Sequence, residues 1–310
     1  MGGTSKKILL AHLAVFGANM IYGINYVVAK GIMPDYLQPR VIILMRITGA
    51  AILFWGVASF YKEKSIGKGD YLRLAICALF GIAINQVMFF EGLNLTTPIN
   101  ASIIMVGTPI LVLVFSYFIL GEKISRNKII GIILGFSGAG YLILQAGTLS
   151  ISSGTFIGNI MILINASSYA LFLVLVKPLM SKYSPITIMK WLFTFGLIYV
   201  IPVSFFLLDE TDFTVIPTNI WFSITYVILF TTVLAYFFNN YSLKNISPTM
   251  NSAYIYLQPF LATVVAIVMG KDALSWNEVF AAALIFAGVY FVSLKSPKVK
   301  FTNSSGTSSL

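Results

Sequence analysis

The chain has 310 residues, 58% of them hydrophobic and 10% charged, and its mean hydropathy is +0.90. Soluble globular domains carry about 25% charged residues, so this composition belongs to a membrane protein. One cysteine (Cys77) and one histidine (His12) exclude intrachain disulfides, thiolate clusters and a histidine-rich metal site, and the net charge of +10 is dispersed over short loops rather than gathered into a nucleic-acid-binding face.

A helix needs about 20 apolar residues to cross a hydrocarbon core of roughly 30 Å. On that ruler the sequence predicts an all-α membrane protein with ten transmembrane helices. They lie near 8–29, 40–61, 72–93, 97–120 and 128–145, then 155–176, 186–208, 219–243, 248–269 and 275–294. The links are short, and the longest, 145–154 and 209–218, are too small to be soluble domains. The first apolar run is long enough to span, so it reads as a helix and not as a cleavable leader. Residues 295–310, rich in Lys, Ser and Thr, read as a disordered cytoplasmic tail. With the N-terminus inside, sixteen Lys and Arg fall on inner segments and three (Lys30, Arg40 and Lys271) on outer ones. Lys and Arg are retained on the cytoplasmic side, which predicts that both termini are cytoplasmic.

The chain also contains an internal repeat. Residues 92–142 and 242–292 align without a gap at an offset of 150: Leu93 with Leu243, Pro98 with Pro248, Pro109 with Pro259, Gly138 with Gly288. Glu122 falls on Asp272 in the same register. Each unit has five spans, an odd number, so the second enters the membrane from the opposite side. The expectation is two inverted five-helix repeats, 8–145 and 155–294, the arrangement that secondary transporters use for alternating access.

The stretch Tyr22-Gly23-x-Asn25 with Lys30, then Arg46, resembles the opening helices of the EamA domain. So do Pro109, Gly121-Glu122-Lys123-Ile124, and Gly131, Gly135 and Gly138. Ser247-Pro248, Pro259 and Gly288 occupy the equivalent places in the second unit, while Gly270-Lys271-Asp272 stands where that copy usually has Gly-Glu. The resemblance covers residues 8–294, as two EamA domains of the drug/metabolite transporter superfamily. It implies an exporter-type fold with a central cavity between the halves, in a superfamily that handles amino acids, sugars, nucleotides and drugs.

Binding is expected near the bilayer midplane at the repeat interface. Polar residues near the span midpoints are Asn19, Tyr22, Asn85, Gln86, Thr108, Asn165, Tyr169, Tyr236 and Gln258. An amide in hydrocarbon must find a partner, so each faces either a neighbouring helix or the cavity. Pro109 and Pro259 sit at equivalent mid-membrane positions, where proline removes a backbone donor and makes either a hinge or a static kink. Arg46 is the one cation well inside a span. It either attracts an anionic group of the substrate or pairs with Glu91 as a gate. Gly131, Gly135 and Gly138 form a small-residue face that serves packing within the chain or contact with a second copy, leaving monomer and homodimer both open.

No Asp or Glu lies at mid-depth in any span, which disfavours cation/proton antiport of lipophilic drugs. One deep cation is too few for a nucleotide sugar, and no nucleophile–base pair or metal set suggests an enzyme. The reading is a secondary active exporter of a small-molecule metabolite, with an amino acid or similar zwitterion as the leading substrate. Nucleotide-sugar or drug transport is the alternative and a channel a remote one. It needs no cofactor, and its expected setting is a bacterial inner membrane.

Overall fold

In the computed structural model, residues 3–60, 65–145, 153–261 and 276–294 are described. The terminal segment 295–310 and the Gly270-Lys271-Asp272 stretch lie outside them. Among the described residues the chain is all-helical, with no strand. We number the helical segments in chain order. The first five are α1 (Gly3–Lys30), α2 (Pro39–Ala58), α3 (Lys68–Leu95), α4 (98–120) and α5 (Arg126–Gln145). The others are α6 (Ser153–Lys182), α7 (Pro185–Ser204), α8 (Thr218–Asn245), α9 (248–261) and α10 (Trp276–Ser293).

Among the described residues six stretches are long and apolar enough to cross a membrane: Lys6–Lys30, Pro39–Ala58, Lys68–Leu95, Phe156–Lys182, Pro185–Leu208 (α7 with the 3-10 turn that follows it) and Thr218–Asn245. Ile104–Leu120 and Val279–Ser293 are shorter apolar stretches. Large side chains such as Val27, Ile52, Phe118, Ile133, Ile198 and Phe222 point outward. An apolar exterior of that extent suits lipid, not water.

Local chemistry sets the helix ends. Ser184 and Ser247 cap α7 and α9 by accepting from the Thr187 and Met250 amides (3.1 and 3.2 Å), each followed by proline in the first turn. Gly121 ends α4 at φ 65°, where the Glu122 amide returns to Ser116 O at 3.0 Å.

Packing joins segments distant in sequence: α1 lies along α8, α2 along α7, α3 along α6 and α5 along α10. The main apolar core joins α2, α3, α6 and α7 through Phe54, Phe90, Phe172 and Phe193. A second core joins α1, α9 and α10 through Val15, Tyr256 and Ile285. Glycine permits the closest approaches. A Cβ on Gly92 would lie 3.0 Å from Gly158 O, and one on Gly131 would lie 2.6 Å from Gly288 O. Of the two readings of the α5 glycines, the geometry here is that of packing within the chain. Gly131, Gly135 and Gly138 face α10 and Tyr256 of the same chain, so that face is already occupied.

Among the described residues, four of the ten helices are irregular within their length. α3 and α8 each contain a π segment, Leu79–Ile84 and Val227–Leu234. α4 breaks at Gly107, just before Thr108-Pro109, and α9 tightens to a 3-10 turn at Tyr254–Tyr256, just before Gln258-Pro259. Both irregularities precede a proline whose missing donor cannot extend the preceding turn.

Candidate functional site: a polar cavity among the irregular helices

Helical spacing brings the polar faces together. On α1, Tyr22, Asn25 and Tyr26 lie three and four residues apart and share one face. On α3, Gln86, Phe89 and Phe90 repeat that spacing, with Asn85 beside them. α6 adds Asn165 and Tyr169, also four apart. Arg46 of α2, Met105 of α4, Tyr236 of α8 and Gln258 of α9 complete the wall. The space they bound is about 540 Å³ with open solvent at its mouth counted.

Beside the wall, the π segment of α3 and Asn85 just after it present carbonyls to neighbouring side chains. A π turn displaces carbonyls from the ordinary helical register, and neighbouring side chains take them up. Ser168 Oγ donates to Phe80 O (2.5 Å), Tyr236 Oη to Gly81 O (3.0 Å) and Asn165 Nδ2 to Asn85 O (2.7 Å). Gln86 Nε2 in turn reaches Tyr236 Oη at 3.5 Å. In the π segment of α8, Thr231 and Thr232 both donate to Val227 O, at 2.5 and 2.9 Å. Thr232 Oγ1 then accepts from Arg46 Nε at 2.7 Å.

Arg46 is 4% exposed and its guanidinium lies 4.5 Å from the centre of the Phe90 ring. Among the described residues the ion pairs are Arg40–Glu91, Lys128–Glu122 and Lys182–Asp70. The expected Arg46–Glu91 pair is therefore corrected. Glu91 bonds Arg40 at 2.7 Å near the end of α3, whereas Arg46 is drawn deeper by Thr232 and Phe90. Its charge has no carboxylate partner among the described residues.

Eight of the ten residues expected at the cavity line it: Tyr22, Arg46, Asn85, Gln86, Asn165, Tyr169, Tyr236 and Gln258. Asn19 stands behind the wall, donating to Val15 O and accepting from Gln258 Nε2, both at 2.8 Å. Gln258 Oε1 accepts from Tyr26 Oη at 3.2 Å, so Gln258 ties α9 to α1 at two points. A Cβ on Gly23 would lie 3.1 Å from Gln258 O, which accounts for the glycine in the Tyr22-Gly23-x-Asn25 stretch. Thr108 is fully buried against Met105 and does not reach the cavity, and Pro109 and Pro259 are buried in their helices. Sequence reasoning missed Asn25, Tyr26, Phe89, Phe90 and Met105 as lining residues. The first four were open to discovery, because they continue the helical faces begun by Tyr22 and Gln86. Three lining amide oxygens, Asn25 Oδ1, Gln86 Oε1 and Asn165 Oδ1, are buried without a hydrogen-bond partner.

Residues 9–144 and 156–294 both match the model of the EamA-like transporter family. The chain belongs to that family. It is an integral membrane protein of a transporter family and not an enzyme. It is 26% identical over 307 residues to the uncharacterized transporter YyaM of Bacillus subtilis, covering 94% of this chain and 97% of the relative. It is 25% identical over 291 residues to the uncharacterized inner membrane transporter YedA of Escherichia coli, covering 93% and 92%. A solved crystal structure superimposes with a TM-score of 0.72 at 16% identity, covering 93% of this chain and 96% of the other, and shows the same fold.

Proposed function

We propose that this EamA-family chain is a secondary active carrier, working as an exporter, for a small zwitterionic metabolite such as an amino acid. In this reading ten helices form two inverted five-helix units, 8–145 and 155–294, which exchange conformations around the cavity. Several features favour it. The two π segments fall at equivalent places in the repeat, as do the irregular turns before Pro109 and Pro259, which act as paired hinges. Interrupted helices in corresponding positions of two halves are the usual pointer to a transporter's binding site.

The observation that carries the substrate class is Arg46, a buried cation on the cavity wall with no carboxylate partner among the described residues. A charge in that setting draws a counter-ion, and a substrate carboxylate supplies one. Asn25 and Gln86 add unpaired acceptor oxygens around the same space, which suits a ligand that also brings donors. One cation fits one anionic group, and a phosphorylated sugar or nucleotide carries more charge than it balances. The excess of Lys and Arg on one side supports a reading with both termini in the cytoplasm. A bacterial inner membrane agrees with the description of the E. coli relative as an inner membrane transporter. The carrier works as a monomer or as a homodimer joined elsewhere than at the α5 glycines.

The test is counterflow in proteoliposomes with a panel of amino acids, their decarboxylated amines and a nucleotide sugar. The expected result is saturable exchange of amino acids, absent for the amines and lost in Arg46→Ala. Exchange of the nucleotide sugar alone, or undiminished exchange by Arg46→Ala, would remove the substrate assignment.

A further inference from the structure

The cavity lies between two helix pairs. In one, α1 runs along α8, with Tyr226 Oη donating to Ile21 O at 3.0 Å. In the other, α3 runs along α6, with Gly92 against Gly158 and Thr96 Oγ1 donating to Asn159 Oδ1 at 2.7 Å. Near mid-depth the pairs touch where Tyr236 Oη donates to Gly81 O. Two lysines also bridge them, one at each end.

Lys30, the last residue of α1, donates through Nζ to Leu93 O (2.9 Å) and Asn94 O (2.8 Å) in the last turn of α3. Lys177, near the end of α6, donates through Nζ to Leu243 O and to Ile246 O (2.7 Å) where α8 terminates. The end of α6 lies beside the start of α3, as Lys182–Asp70 and the bond from Arg73 Nε to Leu175 O establish. Lys177 is therefore at the opposite end of the bundle from Lys30. Each lysine follows a cavity tyrosine, Tyr22 or Tyr169, by eight residues. Each grips carbonyls at or beside a leucine, Leu93 or Leu243, of the aligned repeat.

Both contacts have the same chemistry. The last carbonyls of a helix lack intrahelical donors and carry the negative end of its dipole, so an ammonium group docks there well. No carboxylate completes either contact as an ion pair among the described residues. Water can replace carbonyls as partners of a half-buried ammonium when the helices part.

We propose that Lys30 and Lys177 are paired latches that hold the α1–α8 pair against the α3–α6 pair at opposite ends of the cavity. Release of Lys30 opens one end, and release of Lys177 opens the other. Both contacts are formed in the structure. The latch rests on the alternating-access reading and extends it to named contacts.

The test uses spin-label distance measurements in liposomes, on the full chain with Cys77→Ser. One label pair sits at Val27 and Leu95, which are 64% and 43% exposed, and a second at the exposed Ser181 and Lys244. Lys30→Met is expected to lengthen the 27–95 distance while leaving 181–244 as in the parent. Lys177→Met should do the reverse, and each should slow counterflow severalfold. Lys30→Arg and Lys177→Arg, which keep donors, should restore parental distances. Should a methionine variant fail to fold, Lys30→Ala or Lys177→Ala, which also lack a donor, is read in its place. Unchanged distances in both variants, or opening of both ends by either one, overturn the latch. If the parent shows counterflow while the distances stay fixed, the latch falls alone. If the parent exchanges no solute, alternating access falls and the latch with it.

Discussion

The cavity helices and the α5–α10 pair solve opposite problems with related materials. Around the cavity, α3 and α8 carry π segments, and their displaced carbonyls are taken by Ser168, Tyr236, Thr231 and Thr232. Between α5 and α10 the backbones meet directly at Gly131, Gly135, Gly138 and Gly288. Side-chain hydrogen bonds can exchange partners, so the first region tolerates several arrangements. A glycine-to-backbone contact has one arrangement, because any displacement opens a void or a clash. On the alternating-access proposal, the cavity region is the one expected to move and the peripheral pair the one expected to stay fixed.

Substitutions at the two regions should separate these roles. The largest effect is expected from Gly135→Leu, because even a Cβ there would fall 2.2 Å from the Tyr256 ring. Overpacking costs roughly 1–3 kcal/mol where neighbours can yield, and more against a buried aromatic ring. The expected outcome is loss of monodisperse protein in detergent, followed by size-exclusion chromatography. Normal yield and melting temperature would break the contrast at its rigid side.

Arg46→Lys should come next, and should act on transport instead of yield. Lysine keeps the charge but loses the planar stacking on Phe90 and the Nε bond to Thr232. A rise of about tenfold in half-saturating substrate, the equivalent of ~1.4 kcal/mol, is expected from counterflow titration, with little change in melting temperature.

Tyr236→Phe removes one donor from the Gly81 carbonyl and one partner from Gln86. Membrane hydrogen bonds average about 0.6 kcal/mol, so a small loss of stability is expected. Counterflow rate should change more than that figure suggests, since the bond lies where the helix pairs meet. Equal effects on both would argue that Tyr236 is only structural.

The smallest effect concerns the loop before α8. The Thr214 hydroxyl and amide hold the Asp212 carboxyl below its ordinary range. A lowered folded-state value contributes stability above the unfolded value of about 3.9 and loses it as pH falls through the folded one. Parent protein should therefore lose slightly more thermal stability than Asp212→Ala on acidification below about pH 4. Parallel melting curves would sink that assignment.

Much of this was legible in the chain itself. Apolar runs located the helices because a bilayer demands satisfied backbone over a known thickness. The ungapped register of 92–142 on 242–292 exposed the repeat, and midpoint depth found seven cavity residues, with Arg46 found by its charge, because depth follows directly from position along a span. Depth along one helix says nothing about azimuth around it. Asn19 and Thr108 have the right depth but face Gln258 and Met105, behind the wall. Glu91 shows a similar limit, since a carboxylate of suitable depth went to Arg40, a competitor that only side-chain direction could select.

Composition and span length thus settled the membrane class, and the motif resemblance pointed to the family. Partner choice was left to three dimensions: Arg46 with Thr232 and Phe90, Gly135 with Tyr256, Lys30 and Lys177 with the ends of α3 and α8. The physical reason is range. Hydrophobic periodicity acts over a few residues and is written in the chain, whereas these contacts join helices far apart in sequence whose approach depends on how all the others pack.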